Sequence, residues 1–162
     1  MLSYKFNKSL LCYQLILFFS FAISINYFVE LKYVNLIFYI IFHITFIYLA
    51  FYFYNFSLFL LGFIYGMIFD LILINYIAPH LLALLLLLLI ISLIRKNLFN
   101  LKANKISYII FLFLFVTILI EMIFASILFN YDFKINVFSS LIVMGLIIFI
   151  PIIYLYSKID KL

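Results

Sequence analysis

Apolar stretches of about twenty residues recur along the whole chain, separated by short segments that carry the charged residues. A helix needs about 20 apolar residues to cross a hydrocarbon core of roughly 30 Å. The chain of 162 residues is 72% apolar and 9% charged, whereas soluble domains carry roughly a quarter charged residues. The sequence therefore predicts that lipid is the main solvent. No polar half interrupts the pattern, so we expect a single integral membrane domain over 1–162.

The apolar stretches are expected to be helices. Lipid offers no partner to an unpaired backbone group, so a spanning segment is either a helix or a strand of a closed barrel. Stretches such as LLALLLLLLIISLI are apolar on every side and too long for barrel strands of about ten residues. We expect an all-α, polytopic membrane bundle of about six transmembrane helices, at 11–29, 33–53, 56–77, 79–94, 106–129 and 137–157.

The basic residues separate into two unequal groups when six spans are threaded through a membrane. Lys32 and Lys134 fall on one side, and eight residues fall on the other: Lys5, Lys8, Arg95, Lys96, Lys102, Lys105, Lys158 and Lys161. The side richer in Lys and Arg is cytoplasmic in most membrane proteins, so we expect both termini in the cytoplasm. The net charge of +5 then reflects topology, because no basic stripe of the kind that binds nucleic acid is present.

Two carboxylates, Asp70 and Glu121, lie inside the expected spans. A carboxylate there costs at least about 2.5 kcal/mol, so it usually has a partner or a function. Both are about 21 to 22 Å above the cytoplasmic ends of their spans, and His43 lies near the same depth. We expect an intramembrane polar cluster of His43, Asp70, Glu121 and Thr117. No Lys or Arg lies in a span, so the two acids should repel and at least one should keep its proton.

Two interpretations of these polar groups remain open. In the first, each acid binds a backbone carbonyl or a hydroxyl of a neighbouring helix independently. In the second, they form one cluster in a cavity or at a partner interface. His80, next to Pro79 at the expected outer surface, is interpreted as a solvated or interfacial residue.

Gly62, Gly66 and Asp70 recur every four residues and therefore share one face of the third span. Two small residues at this spacing let another helix backbone approach closely, and an acid in phase with them can anchor the same face. Thr117, Glu121 and Ala125 form a comparable stripe in the fifth span. We expect the first stripe to be a helix-packing or partner interface and these two spans to contact each other.

Motifs of enzymatic chemistry are missing from the chain. There is no P-loop, GxSxG, HExxH or nucleotide fingerprint. The single cysteine, Cys12, and the two histidines do not have the spacing of a metal site. The loops are short, and nothing in the spans pairs a nucleophile with a base. We expect no enzymatic activity, no cofactor and no metal.

The segment FLLGFIYGMIFDLILINYIAPHLLALLLLLLIISL resembles the signature region of the bacterial rod shape-determining protein MreD family. The matching positions are Gly62, Gly66 and Asp70, followed by Leu82 and Ala83. The resemblance implies a non-enzymatic scaffold of the cell-elongation complex in the inner membrane, involved in cell shape and lateral peptidoglycan synthesis. The implied partner is a single-span MreC-like membrane protein, and through it MreB and the wall-synthesis enzymes.

The same resemblance supplies an alternative, because the family's fold is similar to that of the substrate-binding subunits of energy-coupling-factor vitamin transporters. In this reading the chain is a small-ligand-binding membrane subunit with an outward-facing pocket, which the depth of Asp70, Glu121 and His43 suits. Such subunits typically dock through an Ala-x-x-x-Ala pattern in the first span, where this chain has only Ala22.

Overall fold

The computed structural model is all-helical in the residues it describes, which are 2–25, 32–74, 78–98, 103–129 and 135–160. Six α-helices and one π-helical segment follow one another: α1 (Leu2–Ser24), α2 (Lys32–Tyr52), α3 (Phe56–Phe69), the π-helical segment (Asp70–Ile74), α4 (Pro79–Leu98), α5 (Ala103–Phe129) and α6 (Ile135–Ile159). At this level the predicted all-α fold is confirmed.

Four helical segments in the described residues are long and apolar enough to cross a membrane: Tyr33–Tyr52, Phe56–Leu73, Lys105–Phe129 and Ile135–Ile159. Two shorter apolar helices lie at Lys8–Ser24 and Pro79–Ile94. Each expected span therefore falls on a helix, although α1 begins before its expected span. The expected span ends at 26–29 and 75–77, together with Lys102, Lys134 and Lys161, lie outside the described residues.

Consecutive helices run antiparallel wherever side-chain contacts join them. Along each pair of helices, residue numbers rise in one as they fall in the other. The contacts are Tyr13 with Tyr48 and Phe21 with Phe42 for α1 and α2, Phe46 with Gly62 and Phe42 with Phe69 for α2 and α3, and Phe111 with Phe149 and Leu114 with Gly145 for α5 and α6. Both α1 and α6 therefore have their chain-terminal halves at one end of the bundle, which we call the terminal end.

Helix α2 occupies the centre of the bundle. Residues 42–51 are all buried, and α2 packs against α1, α4, α5 and α6, while Phe42 contacts Phe69 of α3. Lipid tails are as apolar as leucine, so apolar character alone does not send a helix inward. Helix α2 carries Tyr39, His43, Thr45 and Tyr48, and these polar groups need protein partners within the bilayer. The need of these side chains for hydrogen-bond partners on other helices explains why α2 lies at the centre of the bundle.

Three tyrosines and an aspartate join α1, α2 and α6 at the terminal end, and we call this group the tyrosine clasp (Tyr13, Tyr48, Tyr156 and Asp160). The Tyr13 hydroxyl donates to Asp160 Oδ1 at 2.6 Å and approaches the Tyr156 carbonyl at 3.2 Å. The Tyr48 hydroxyl donates to Asp160 Oδ2. The three rings lie 4.8 to 5.2 Å apart between centroids, so the end of α6 is fixed by both packing and hydrogen bonds.

We expect Tyr13→Phe to lower the free energy of unfolding by about 1 kcal/mol, the scale of an interhelical hydrogen bond in a membrane protein. The ring packing is kept, and the hydroxyl contacts with Asp160 and with the Tyr156 carbonyl are lost. The measurement is unfolding of the detergent-solubilised protein by denaturant. Tyr154→Phe is the matched control, because that ring is 62% exposed. Equal effects of the two substitutions would show that the clasp adds no stability.

Candidate functional site

Asp70 lies where α3 passes into the π-helical segment, and its side chain is completely buried. The carboxylate accepts four hydrogen bonds. Three come from the backbone N–H groups of Ala78, His80 and Leu81, at 3.0, 2.9 and 3.0 Å. The fourth comes from His80 Nδ1 at 2.8 Å. The carboxylate therefore binds the beginning of α4.

This arrangement solves the main difficulty of starting a helix in lipid. The first N–H groups of a helix have no partner within it, and each unpaired group in hydrocarbon costs several kcal/mol. Pro79 has no N–H, and Asp70 receives the three free N–H groups around it. The negative charge also lies at the positive end of the helix dipole. In a membrane, these interactions would oppose the roughly 2.5 to 3.5 kcal/mol cost of inserting an aspartate.

Gly66 makes this contact between α3 and α4 possible. A Cβ atom there would lie 2.6 Å from the Leu81 Cα and 2.9 Å from the Leu81 nitrogen, both backbone atoms. At Gly62, a Cβ would lie 3.0 Å from the Phe46 ring and 3.1 Å from a Leu88 methyl group. The Gly62, Gly66 and Asp70 face therefore packs within the bundle, chiefly on α4.

Glu121 of α5 meets two side chains of the central helix. Its Oε1 lies 2.9 Å from His43 Nε2, and its Oε2 accepts from the Tyr39 hydroxyl. His43 Nδ1 lies 2.9 Å from the Tyr39 carbonyl oxygen. A carbonyl only accepts, so Nδ1 carries a hydrogen. The contact with Glu121 then needs one further proton, held either by the imidazole or by the acid, and in both forms the pair is neutral overall.

The histidines of both acid–histidine pairs stack on the Phe69 ring. The ring is roughly parallel to His43, with centroids 6.4 Å apart and an angle of 28°. It is also roughly parallel to His80, at 5.4 Å and 26°. Tyr39 contacts the edges of both Phe69 and His80. We call this group, with Asp70 and Glu121, the histidine layer; it joins α2, α3, α4 and α5.

Thr117 is buried in the same region but uses its hydroxyl within its own helix, donating to the Phe113 carbonyl at 2.7 Å. Of the expected polar cluster, the structure thus pairs His43 with Glu121. It pairs Asp70 instead with His80 and the start of α4, and it gives Thr117 a local bond.

Three expectations differ from the structure. His80 was expected to be a solvated or interfacial residue, and this was wrong: it is buried against Asp70. Repulsion between the two acids was expected to govern their protonation, but each acid faces its own histidine. Helices α3 and α5 were expected to contact each other, but α4 packs against both. The described parts of α3 and α5 form no comparable interface.

The chemistry available to the histidine layer is hydrogen bonding and charge neutralisation. Each oxygen of the two carboxyl groups has a hydrogen-bond partner in the protein, and the described residues contain no group of three or more side chains placed to hold a metal ion. Comparisons of the chain with protein-family models, with curated proteins and with solved structures find no match. The geometry is therefore the basis for interpreting this site.

Alanine substitution at the three glycines should destabilise the protein to different degrees, because an added Cβ would meet different neighbours at each. We expect Gly66→Ala to lower stability most, by about 2 kcal/mol or more, since backbone atoms of α4 must move. Gly62→Ala should cost less because side chains can shift. Gly145→Ala is the control, since its Cβ would make ordinary contacts with a Leu114 methyl at 3.4 Å and a Phe115 ring carbon at 4.0 Å. Thermal unfolding of the solubilised protein measures all three, and a Gly66→Ala effect no larger than that of Gly145→Ala would contradict this packing.

His43 and Glu121 should be energetically coupled. Removing either one leaves the other buried without its partner, whereas removing both does not. We expect the double substitution His43→Leu with Glu121→Leu to cost at least about 1 kcal/mol less than the sum of the single substitutions. Ser92→Ala combined with Glu121→Leu is the additive control, because Ser92 bonds only the Leu89 carbonyl of its own helix. If the changes in unfolding free energy were additive in both double-mutant cycles, His43 and Glu121 would not be energetically coupled.

Proposed function

We propose that the protein is a multi-pass protein of the bacterial cytoplasmic membrane, with six transmembrane helices and both termini in the cytoplasm. Four helices have the length and composition for crossing. The two shorter ones pack alongside them, α1 on α2 and α4 on α3 and α5. Lys8, Lys105 and Lys158 are exposed on helix segments at the terminal end, which suits a cytoplasmic location.

Within that membrane, the proposed role is a non-enzymatic scaffold of the cell-elongation complex that binds an MreC-like partner. The observation that carries the proposal is the joint use of Gly62, Gly66 and Asp70. Two glycines and an in-phase acid resemble the MreD signature, and here they act together to join α3 and α4. Through the MreC-like protein, the scaffold would act on MreB and on the enzymes of lateral peptidoglycan synthesis.

The saturation of the buried polar groups supports a scaffold over a ligand-binding transporter subunit. A ligand pocket needs polar groups that are free to turn toward the ligand. Asp70 already accepts four hydrogen bonds, and Glu121 accepts from Tyr39 and contacts His43. Because the Gly62 and Gly66 face is occupied by the protein's own helices, the partner would bind at another surface.

The test combines partner capture with depletion in the source cell. After membrane solubilisation, the tagged full-length protein should co-purify the single-span MreC-like protein, and an unrelated tagged multi-pass protein should not. Depletion should round the cells and reduce labelled-precursor incorporation along the lateral wall. Normal shape together with no enrichment would overturn the proposal. Thermal stabilisation of the purified protein by one vitamin in a panel, without partner enrichment, would favour the transporter subunit.

A further inference from the structure

The beginning of α4 lacks the residue that normally completes a helix start. Pro79 occupies the first helical position, so Ala78 occupies the N-cap position. An N-cap side chain usually accepts hydrogen bonds from the second and third N–H groups of the helix, here those of His80 and Leu81. Alanine has no acceptor, and the Asp70 carboxylate on α3 takes both bonds instead.

The depth of this helix start makes the missing acceptor important. Asp70 is 14 residues beyond Phe56, at a rise of 1.5 Å per residue, which places it roughly 21 Å from the start of α3. The apolar part of α4, Pro79–Ile94, is about 16 residues and therefore roughly 24 Å long. Both lengths fall short of a hydrocarbon core of roughly 30 Å. In the proposed topology, helix α4 therefore begins beneath the membrane surface, where water is not a ready substitute for a cap.

We propose that α3 and α4 form one interlocked unit in the membrane, in which Asp70 is the N-cap that α4 lacks in its own sequence. The α4 start is stable only when α3 is docked, and Gly66 brings the two backbones close enough for the bonds to form. The π-helical segment that begins at Asp70 and His80 Nδ1, which also donates to this carboxylate, belong to the same unit. This inference does not depend on the proposed cellular role.

The test removes the capping carboxylate from residue 70 at the end of α3 and places one at residue 78, directly before α4. In the full-length protein in lipid nanodiscs, Asp70→Leu should raise hydrogen exchange at the amides of His80 and Leu81 at least tenfold. It should also lower the unfolding temperature. Adding Ala78→Asp should return exchange at these amides to within about threefold of the parent and recover most of the unfolding temperature, because residue 78 then supplies the acceptor locally.

Gly66→Leu combined with Ala78→Asp is the matched control, because its defect is a clash of backbones and a new cap should not repair it. If Asp70→Leu does not fold, recovery of a monodisperse protein on adding Ala78→Asp still supports the proposal. Failure of Ala78→Asp to restore either exchange or folding would overturn it. Unchanged exchange at His80 and Leu81 in Asp70→Leu would overturn it as well.

Discussion

The structure depends on the requirement that each polar group inside a bilayer finds a hydrogen-bond partner within the protein. Apolar helix faces pack about as well on lipid as on each other, so they select no particular neighbour. Polar side chains do select one. Tyr39 and His43 orient α2 toward α5, Thr45 bonds the Tyr156 hydroxyl of α6, and Asp70 joins α3 to α4.

The same requirement explains why the most buried of the four long apolar segments is also the least apolar. Among the four long apolar segments, α2 is the least apolar and the most buried, whereas the more apolar α6 is the least buried. In water, the apolar helix would move inward. In the proposed membrane setting, the central place goes to the helix whose side chains need protein partners. For α2, position in the bundle follows hydrogen bonding more than hydrophobicity.

The positions of the helices could be predicted from the sequence, because the thickness of a bilayer sets the length and apolar composition of a spanning helix. Sequence reasoning also found the Gly62, Gly66 and Asp70 face, because spacing along one helix is visible in the sequence. It could not identify the partner of that face, since any of five neighbouring helices was available. The interpretation of His80 as solvated or interfacial was wrong because its contact with Asp70 joins two helices, and the local sequence around Pro79 does not show it.

The tyrosine clasp illustrates a second limit. With 14 tyrosines in 162 residues, no single tyrosine stands out, and Tyr13 and Asp160 are 147 positions apart. Their contact follows from the antiparallel path of the whole chain and from the central place of α2. It becomes visible only when the helices are assembled, because the information lies in the arrangement and not in any local pattern.

The two buried acids show that an intramembrane carboxylate can serve different structural purposes. Glu121 meets side chains of another helix, so its role can be replaced only by changing both partners. Asp70 accepts hydrogen bonds chiefly from backbone N–H groups. Its role is to cap the start of α4, where Ala78 has no side-chain acceptor. With both acids engaged inside, a scaffold of the proposed kind would recognise a membrane partner by the shape of its exposed apolar faces and by its loops. This separates the groups that hold the bundle together from the surfaces that bind the partner.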